Sequence, residues 1–151
     1  MISELYSDKI LDAAAAIPPA RDLSDADARS KKVSRVCGSE VEVAMRMDAD
    51  RVADFAMTAK ACALGQASAS ILARNIVGAG PADLYTLRGE MRAMLKEAGP
   101  APTGERWRDL AALQPIAAYP QRHASTLLVF EAVCDCLDQL GFSKPASAPR
   151  A

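Results

Sequence analysis

A strand-turn-strand pattern in the first half of the chain constrains the fold more than any other feature. Apolar residues occupy every second position of its first arm: Val41, Val43, Met45 and Met47. A period of two is typical of a strand with one buried face and one wet face. Residues 48–50, Asp-Ala-Asp, then supply a turn, and residues 51–61 return with Phe55, Met57 and Ala59 on one side. The stretch is therefore predicted to be a β-hairpin.

A further strand and several helices complete the predicted architecture. Residues 30–36 are predicted to form a strand, and their Lys and Ser content suits the edge of a sheet. Helical spacing of apolar residues, bounded by Gly and Pro, predicts helices at residues 3–17, at 63–77, from Pro81 to a stop at Gly99-Pro100, around Trp107, and from about Arg122 to Leu140. The predicted fold class is α+β, a small three-stranded antiparallel sheet covered on one face by helices.

Length and composition limit the classes of function. The chain has 151 residues, half of them hydrophobic, and a net charge of -1. This size predicts a single domain, assigned to residues 1–141, and the Pro, Ser and Ala content of 142–151 predicts a disordered tail. The near-neutral charge argues against binding to nucleic acid or anionic lipid. Without a signal-peptide pattern or an apolar run of about 20 residues, we expect a cytoplasmic protein with no membrane contact.

The hairpin runs directly into a stretch that carries one thiol, Cys62. The small residues from 63 to 70 are predicted to be helical, so Cys62 lies where a strand joins a helix. A thiol at the first turn of a helix faces unpaired backbone N–H groups and the positive end of the helix dipole, which favours the thiolate. Thiolate is the form that binds metal or accepts sulfur. Cys37 lies between two predicted strands, and a sheet can bring the two thiols together.

The other two cysteines receive a different prediction. Four cysteines in a chain of this length are too few for a disulfide framework. Cys134 and Cys136 lie inside the last predicted helix, and a spacing of two places them about 200° apart around its axis. Free cysteine is among the most frequently buried residue types, so both are predicted to be packing residues.

Four segments, taken in order, resemble one known family. They are residues 6–12 (Tyr-Ser-Asp-Lys-Ile-Leu-Asp), 37–39 (Cys-Gly-Ser), 62–70 (Cys-Ala-Leu-Gly-Gln-Ala-Ser-Ala-Ser) and 119–127 (Tyr-Pro-Gln-Arg-His-Ala-Ser-Thr-Leu). Together they resemble the IscU/SufU-type iron-sulfur cluster assembly scaffolds, also known as the NifU amino-terminal domain family. The long connection from Gly78 to Tyr119 resembles the SufU branch more than the shorter IscU branch.

The resemblance implies a site at one end of the sheet. In the family, three cysteines plus an Asp or His hold a [2Fe-2S] cluster under assembly or a Zn²⁺ ion, and sulfur arrives as a persulfide from a cysteine desulfurase. Cys37 and Cys62 match the pattern. Ser39 stands where the family has Asp, Ser125 where it has the third Cys, and Ala124 where it has His or Lys.

Other donors are available to complete the site. His123, the one histidine of the chain, lies in the segment that the family folds toward the two thiols. Its alternative role is that of a helix-start residue bonded to backbone, which the rotation of about 200° between positions 123 and 125 of a helix would favour. Ser39, Ser125 and Glu40 are weaker ligand candidates. Their alternatives are a turn residue, a helix cap and a solvated strand residue.

Three functions remain open from the sequence. The first is a non-enzymatic scaffold or carrier that binds a [2Fe-2S] cluster, iron or zinc through Cys37, Cys62 and His123. The second is a sulfur acceptor or regulator, with Cys37 or Cys62 taking persulfide sulfur. The third is a degenerate scaffold that acts only through protein contacts. The resemblance implies a cysteine desulfurase and recipient iron-sulfur apoproteins as partners. The first function also allows a cluster shared between two chains of a homodimer.

Overall fold

Three antiparallel strands with helices on one face form the described part of the molecule. The computed structural model describes residues 7–19, 23–35 and 38–142. Its elements are α1 (Asp8–Ala15), β1 (Ala28–Val33), β2 (Glu40–Asp48), β3 (Arg51–Lys60), α2 (Ala63–Asn75), α3 (Pro81–Lys96) and α4 (His123–Gln139), with 3₁₀ turns over Glu105–Ala118 and Pro120–Arg122. The predicted α+β class and its three-stranded antiparallel sheet are confirmed.

The sheet has the order β1-β2-β3, so the predicted hairpin is formed by β2 and β3. The edge position predicted for the first strand is confirmed, but β1 begins at Ala28, two residues before the predicted start. It ends at Val33, and the chain turns beyond it because the Ser34 N–H donates to the carbonyl of Ser39 at 2.8 Å. Gly38 enables this turn with a φ of 75°, in the left-handed region.

A bulge in β3 changes the face of the sheet on which its first residues lie. Arg46 pairs with Asp54 while Met47 pairs with Val52, so Ala53 is an extra residue in the ladder. The alternation of the sequence alone would place Val52 opposite to Phe55. Because of the bulge both are buried in the same core. The hairpin therefore buries apolar residues along its whole length.

The helix ends follow local chemistry. The Ser7 hydroxyl accepts the N–H of Ile10, and α1 begins at Asp8, whereas the predicted start at residue 3 lies outside the described residues. α2 ends two residues before the predicted end, and Arg106 donates to the carbonyl of its last residue, Asn75, and to that of Val77 beyond it. α3 begins at Pro81 as predicted.

α4 is the central helix of the core. It packs against β1, β2, α2 and α3, and most of its circumference is therefore buried. Cys134 and Cys136 are 1% and 0% exposed, so the packing role predicted for both is confirmed. On a surface helix, two cysteines at this spacing would leave one thiol in water. Both are buried here because α4 has neighbours on nearly every side.

Phe142 belongs to the folded domain, although the sequence assigns it to the tail. Its side chain packs against the core, and its N–H donates to the Leu137 carbonyl at 3.1 Å. The Tyr85 hydroxyl donates to the Phe142 carbonyl at 3.3 Å. The rest of the predicted tail, residues 143–151, lies outside the described residues. None of the described helices is long and apolar enough to span a membrane.

The first turns of α2 and α4 approach each other closely at Gly65. A Cβ atom at Gly65 would lie 2.8 Å from the Cβ of Ala61 and 3.2 Å from the carbonyl oxygen of Ser125. The Ser68 hydroxyl reinforces the contact by donating to the carbonyl of Thr126 at 2.9 Å. The position therefore requires a residue without a side chain.

We expect Gly65→Ala to lower the free energy of unfolding by about 1–3 kcal/mol, because the added methyl group overpacks this contact. Gly89→Ala is the matched control, since a Cβ there would have no heavy atom within 4 Å. This control should stabilise the chain by about 0.4–1 kcal/mol, because glycine costs more backbone entropy in a helix. Urea unfolding of both variants measures the difference. Equal effects of the two substitutions would contradict the close approach.

Candidate functional site

Cys62 lies at the junction between β3 and α2, as predicted. β3 ends at Lys60, α2 begins at Ala63, and Cys62 is the N-cap residue with an extended backbone. Its carbonyl accepts the N–H of Gln66 at 2.9 Å, while its thiol makes no capping hydrogen bond. The side chain is partly exposed. The thiol therefore stands at the positive end of a helix with access to solvent.

Ser125 brings a second polar side chain to Cys62. The distance between the Cys62 Sγ and the Ser125 Oγ is 3.7 Å, and Ser125 is 2% exposed. Ser125 is not the helix cap suggested as its alternative role, because α4 begins at His123 with Arg122 as the N-cap residue. Its hydroxyl instead lies 3.4 Å from the Arg122 carbonyl, which also accepts a 2.9 Å hydrogen bond from Thr126.

The spacing of these two atoms matches that of neighbouring ligands on one metal. Two thiolates on a tetrahedral zinc, each about 2.3 Å from the ion, lie about 3.8 Å apart. The Cys62 Sγ and Ser125 Oγ are 3.7 Å apart. The same 3.7 Å distance fits a hydrogen bond between the thiol and the hydroxyl, with either group as donor, and is compatible with two ligands of one metal. A hydroxyl is a much weaker ligand there than a thiolate.

His123 bonds to backbone. Its Nε2 lies 3.0 Å from the Ile116 carbonyl oxygen and 3.2 Å from that of Ala117. Both partners are acceptors, so Nε2 carries the proton, and a ligand role is left only to Nδ1. Since α4 includes both His123 and Ser125, their side chains leave the helix about 200° apart. This is the alternative role considered for His123.

The turn before β2 lies at the same end of the sheet as Cys62. Glu40, the first residue of β2, pairs with Lys60, the last residue of β3. Cys37, the other predicted ligand, lies outside the described residues. Ser39 is 4% exposed and lies in the turn, which is the alternative to a ligand role that the sequence offered for it.

Glu40 is a half-buried strand residue whose carboxylate is 3.4 Å from the ammonium group of Lys31. A carboxylate held by a lysine is less available to a metal. Within residues 7–19, 23–35 and 38–142, no group of three His, Cys, Asp or Glu side chains could hold a metal ion. The described residues thus place Cys62 and Ser125 together and leave Glu40 and His123 with other partners.

The two core thiols differ chemically from Cys62. Burial raises the pKa of Cys134 to about 12, and burial also raises the pKa of Cys136 to about 12. A thiol with such a pKa is protonated at neutral pH and is a poor nucleophile. Cys62 is thus the one thiol among the described cysteines with access to reagents.

Sequence reasoning did not anticipate the role of Gly65. Its position three residues after Cys62 sets the distance between α2 and the Ser125 backbone. A glycine inside an otherwise helical segment is the signal that could have indicated a close approach. The two carbonyls that hold His123 had no sequence signal, because they lie in 3₁₀ turns six and seven residues earlier.

Comparison with known proteins identifies the family. The model of the NifU-like N terminal domain matches residues 5–125. The chain belongs to this family. Its alignment with a nitrogen-fixing NifU-like protein (N-terminal) from Brucella abortus has 45% identity and a TM-score of 0.90, and it covers 93% of this chain and 96% of that one. The resemblance seen in the sequence is therefore confirmed.

Two further proteins are more distant matches. The iron-sulfur cluster assembly scaffold protein IscU of Thermotoga maritima is 24% identical over 136 residues, which are 90% of this chain and 94% of that protein. The structure of an iron-sulfur cluster assembly scaffold protein for the SUF system from Fervidobacterium islandicum AW-1 has a TM-score of 0.78 at 20% identity. That alignment covers 89% of this chain and 98% of the other, and it shows a shared fold.

We expect iodoacetamide at neutral pH to alkylate Cys62 in the folded protein and to leave Cys134 and Cys136 unmodified. The partly exposed thiol at a helix N-terminus reacts, whereas the two core thiols are buried and protonated. Mass mapping of the digested protein measures the modification at each site. In urea all three should react. Labelling of Cys134 as fast as Cys62 under native conditions would contradict this assignment.

Proposed function

We propose that this chain acts in iron-sulfur cluster assembly as a scaffold or carrier, and that Cys62 and Cys37 hold its cargo. Family membership supports the general role, and relatives that bear the name of assembly scaffolds cover nearly the whole chain. The geometry that carries the proposal is the 3.7 Å separation of the Cys62 Sγ from the Ser125 Oγ at the strand-to-helix junction. A thiol and a second ligand position face one point there.

The cargo of this proposal is a [2Fe-2S] cluster or iron, with Zn²⁺ as the alternative ion. Thiolates hold iron-sulfur clusters, and a [2Fe-2S] cluster takes four ligands. One chain offers Cys37 and Cys62, so a second copy with the same pair would complete a cluster shared in a homodimer. Because Ser125 supplies a hydroxyl in place of a third thiolate, a single chain should hold its cargo loosely, which suits transfer to a recipient apoprotein.

The chain itself needs no catalytic group in this role. A cysteine desulfurase would supply the sulfur, and recipient apoproteins would take the cluster. Cys62 contributes a partly exposed thiol, α2 contributes the positive end of its dipole, and the core behind it keeps both groups in place. His123 contributes by fixing the start of α4 to the preceding 3₁₀ turns, and any ligand role of His123 would use Nδ1.

The partial exposure of Cys62 also favours a second candidate function, sulfur acceptance from a desulfurase persulfide. In that step the Cys62 thiolate attacks the terminal sulfur of the enzyme persulfide. A new S–S bond forms at Cys62, the S–S bond on the enzyme breaks, and the enzyme cysteine leaves as a thiolate. The terminal sulfur retains its proton, so no other reactant is needed.

We expect Cys62→Ala to abolish bound iron and acid-labile sulfide after anaerobic purification, because one of the two thiolates is lost. Elemental analysis and the visible spectrum before and after reconstitution measure this. Cys134→Ala is the control, since it removes a thiol from the core and leaves the site intact. Unchanged iron and sulfide in Cys62→Ala would exclude Cys62 from the site. Zinc alone would favour the SufU-like role, and no metal in the folded wild type would favour an interaction module.

We expect Ser125→Cys to slow the loss of iron and sulfide to a chelator several-fold, because a third thiolate then lies beside the Cys62 Sγ. Ser70→Cys makes the same chemical change at a buried serine of α2, about 12 Å along the helix from Cys62. This control should release its cargo at the wild-type rate. Release from Ser125→Cys that is no slower than from Ser70→Cys would show that position 125 does not face the cargo.

A further inference from the structure

Charges are distributed unevenly along the sheet. The whole chain has a net charge of -1. The end of the sheet opposite to Cys62 carries five aspartates and two arginines, which are Asp25, Asp27, Asp48, Asp50, Asp54, Arg46 and Arg51. Carboxylates thus outnumber guanidinium groups at that end, and the balance of charge at the Cys62 end is different.

The end of the sheet beside Cys62 is basic. β1 runs toward this end, since Ala28 pairs with Met45 and Val33 pairs with Glu40. Arg35 therefore lies in the turn at this end, together with Lys60 at the end of β3. Arg122 precedes α4, three residues before Ser125 and its contact with Cys62. We call Arg35, Lys60 and Arg122 the basic rim.

The charges of the basic rim are not neutralised within the described structure. Arg35 and Lys60 are exposed, Arg122 is partly exposed, and none of the three forms an ion pair with a described residue. The acidic residues in this half of β2 are Glu40, whose carboxylate is 3.4 Å from the Lys31 ammonium group, and the exposed Glu42, which pairs with Lys31 across the sheet. The surface around Cys62 therefore keeps an excess of positive charge.

The helix ends beside Cys62 increase this positive potential. α2 and α4 both begin here, and neither has an acidic residue in its first turn or a side-chain cap. By contrast, α1 has Asp8 in its first turn and α3 has Asp83. An acidic first turn offsets the partial positive charge of the backbone N–H groups. The two ends nearest the thiol lack that offset.

We propose that the basic rim is the docking surface for an acidic segment of a partner protein that exchanges sulfur or a cluster at Cys62. This inference rests on the proposed function for the nature of the exchange, while the excess of positive charge stands on the structure alone. Exposed like charges around a reactive group attract an oppositely charged partner and raise its association rate. The partner is thus recognised by carboxylates that meet Arg35, Lys60 and Arg122.

The test measures how fast Cys62 exchanges with disulfide peptides of opposite charge. The probes are the pentapeptides Glu-Glu-Cys-Glu-Glu and Lys-Lys-Cys-Lys-Lys, each as its mixed disulfide with 2-thiopyridine. The Cys62 thiolate attacks the peptide sulfur, a protein-peptide disulfide forms, and 2-thiopyridone leaves and is measured by its absorbance. A Cys37→Ser chain is used, since Cys134 and Cys136 are buried. Mass mapping of Cys62 in the wild type gives the same ratio independently of that variant.

We expect the acidic peptide to react about tenfold faster than the basic one at low salt, because local charge of this kind changes association rates by about 10-fold or more. The ratio should fall toward unity at high salt, where the Debye length is about 3 Å. Lys60→Glu and Arg122→Glu should each lower the ratio several-fold. Equal rates for the two peptides at low salt would overturn the proposal.

Arg74→Glu is the matched control for these variants. It makes the same change of charge at an exposed residue of α2, about 18 Å along the helix from Cys62. It should leave the peptide ratio unchanged, and an effect as large as that of Lys60→Glu would overturn a local role for the rim. The exchange requires a thiol and no metal. A chain that never binds a cluster can therefore still show the preference, and a cluster-binding chain can fail to show it.

Discussion

The contact between the first turns of α2 and α4 is the constraint on which the rest of the site depends. There is no room for a methyl group at Gly65, because an added Cβ atom would lie 3.2 Å from the carbonyl oxygen of Ser125. Since Cys62 is the N-cap residue of one helix and Ser125 lies in the first turn of the other, this contact helps to set the distance between their side chains. The core position of α4 holds both in register with the sheet.

The candidate site pairs one partly exposed thiol with one buried hydroxyl. Ser125 presents an oxygen at a ligand-like spacing from the Cys62 Sγ. The Nε2–H of His123 donates hydrogen bonds to the carbonyl oxygens of Ile116 and Ala117 and so stabilises the start of α4. One end of the sheet thus combines a reactive thiol, a rigid backbone and an incomplete donor set. On the proposed function, such a set would favour transient binding over permanent storage.

Electrostatics give this end of the molecule a second property. The rim of Arg35, Lys60 and Arg122 and the two helix N-termini share one sign, while the aspartates collect at the opposite end of the sheet. A bare ferrous ion approaches such a surface against repulsion, whereas an anionic sulfur species or an acidic protein segment is attracted. On the proposed docking role, the same few residues would bear on both the chemistry of Cys62 and the choice of partner.

Much of the fold was determined by local sequence chemistry. Alternation of apolar residues defined the β2-β3 hairpin, Pro81 marked the start of α3, and the strand-to-helix junction placed Cys62. These features depend on neighbours within a few residues, where periodicity and turn chemistry act. The segments that resemble the NifU-like family likewise predicted the family and its fold, because their order and spacing are read directly from the chain.

The tertiary structure decided what distant segments do to one another. It brought Ser125 to Cys62, turned His123 to the carbonyls of the 3₁₀ turns, and buried both thiols of α4 by surrounding that helix. The bulge at Ala53 and the inclusion of Phe142 in the core were decided in the same way. Each outcome depends on packing between residues far apart in the chain, and local propensity carries no information about such contacts.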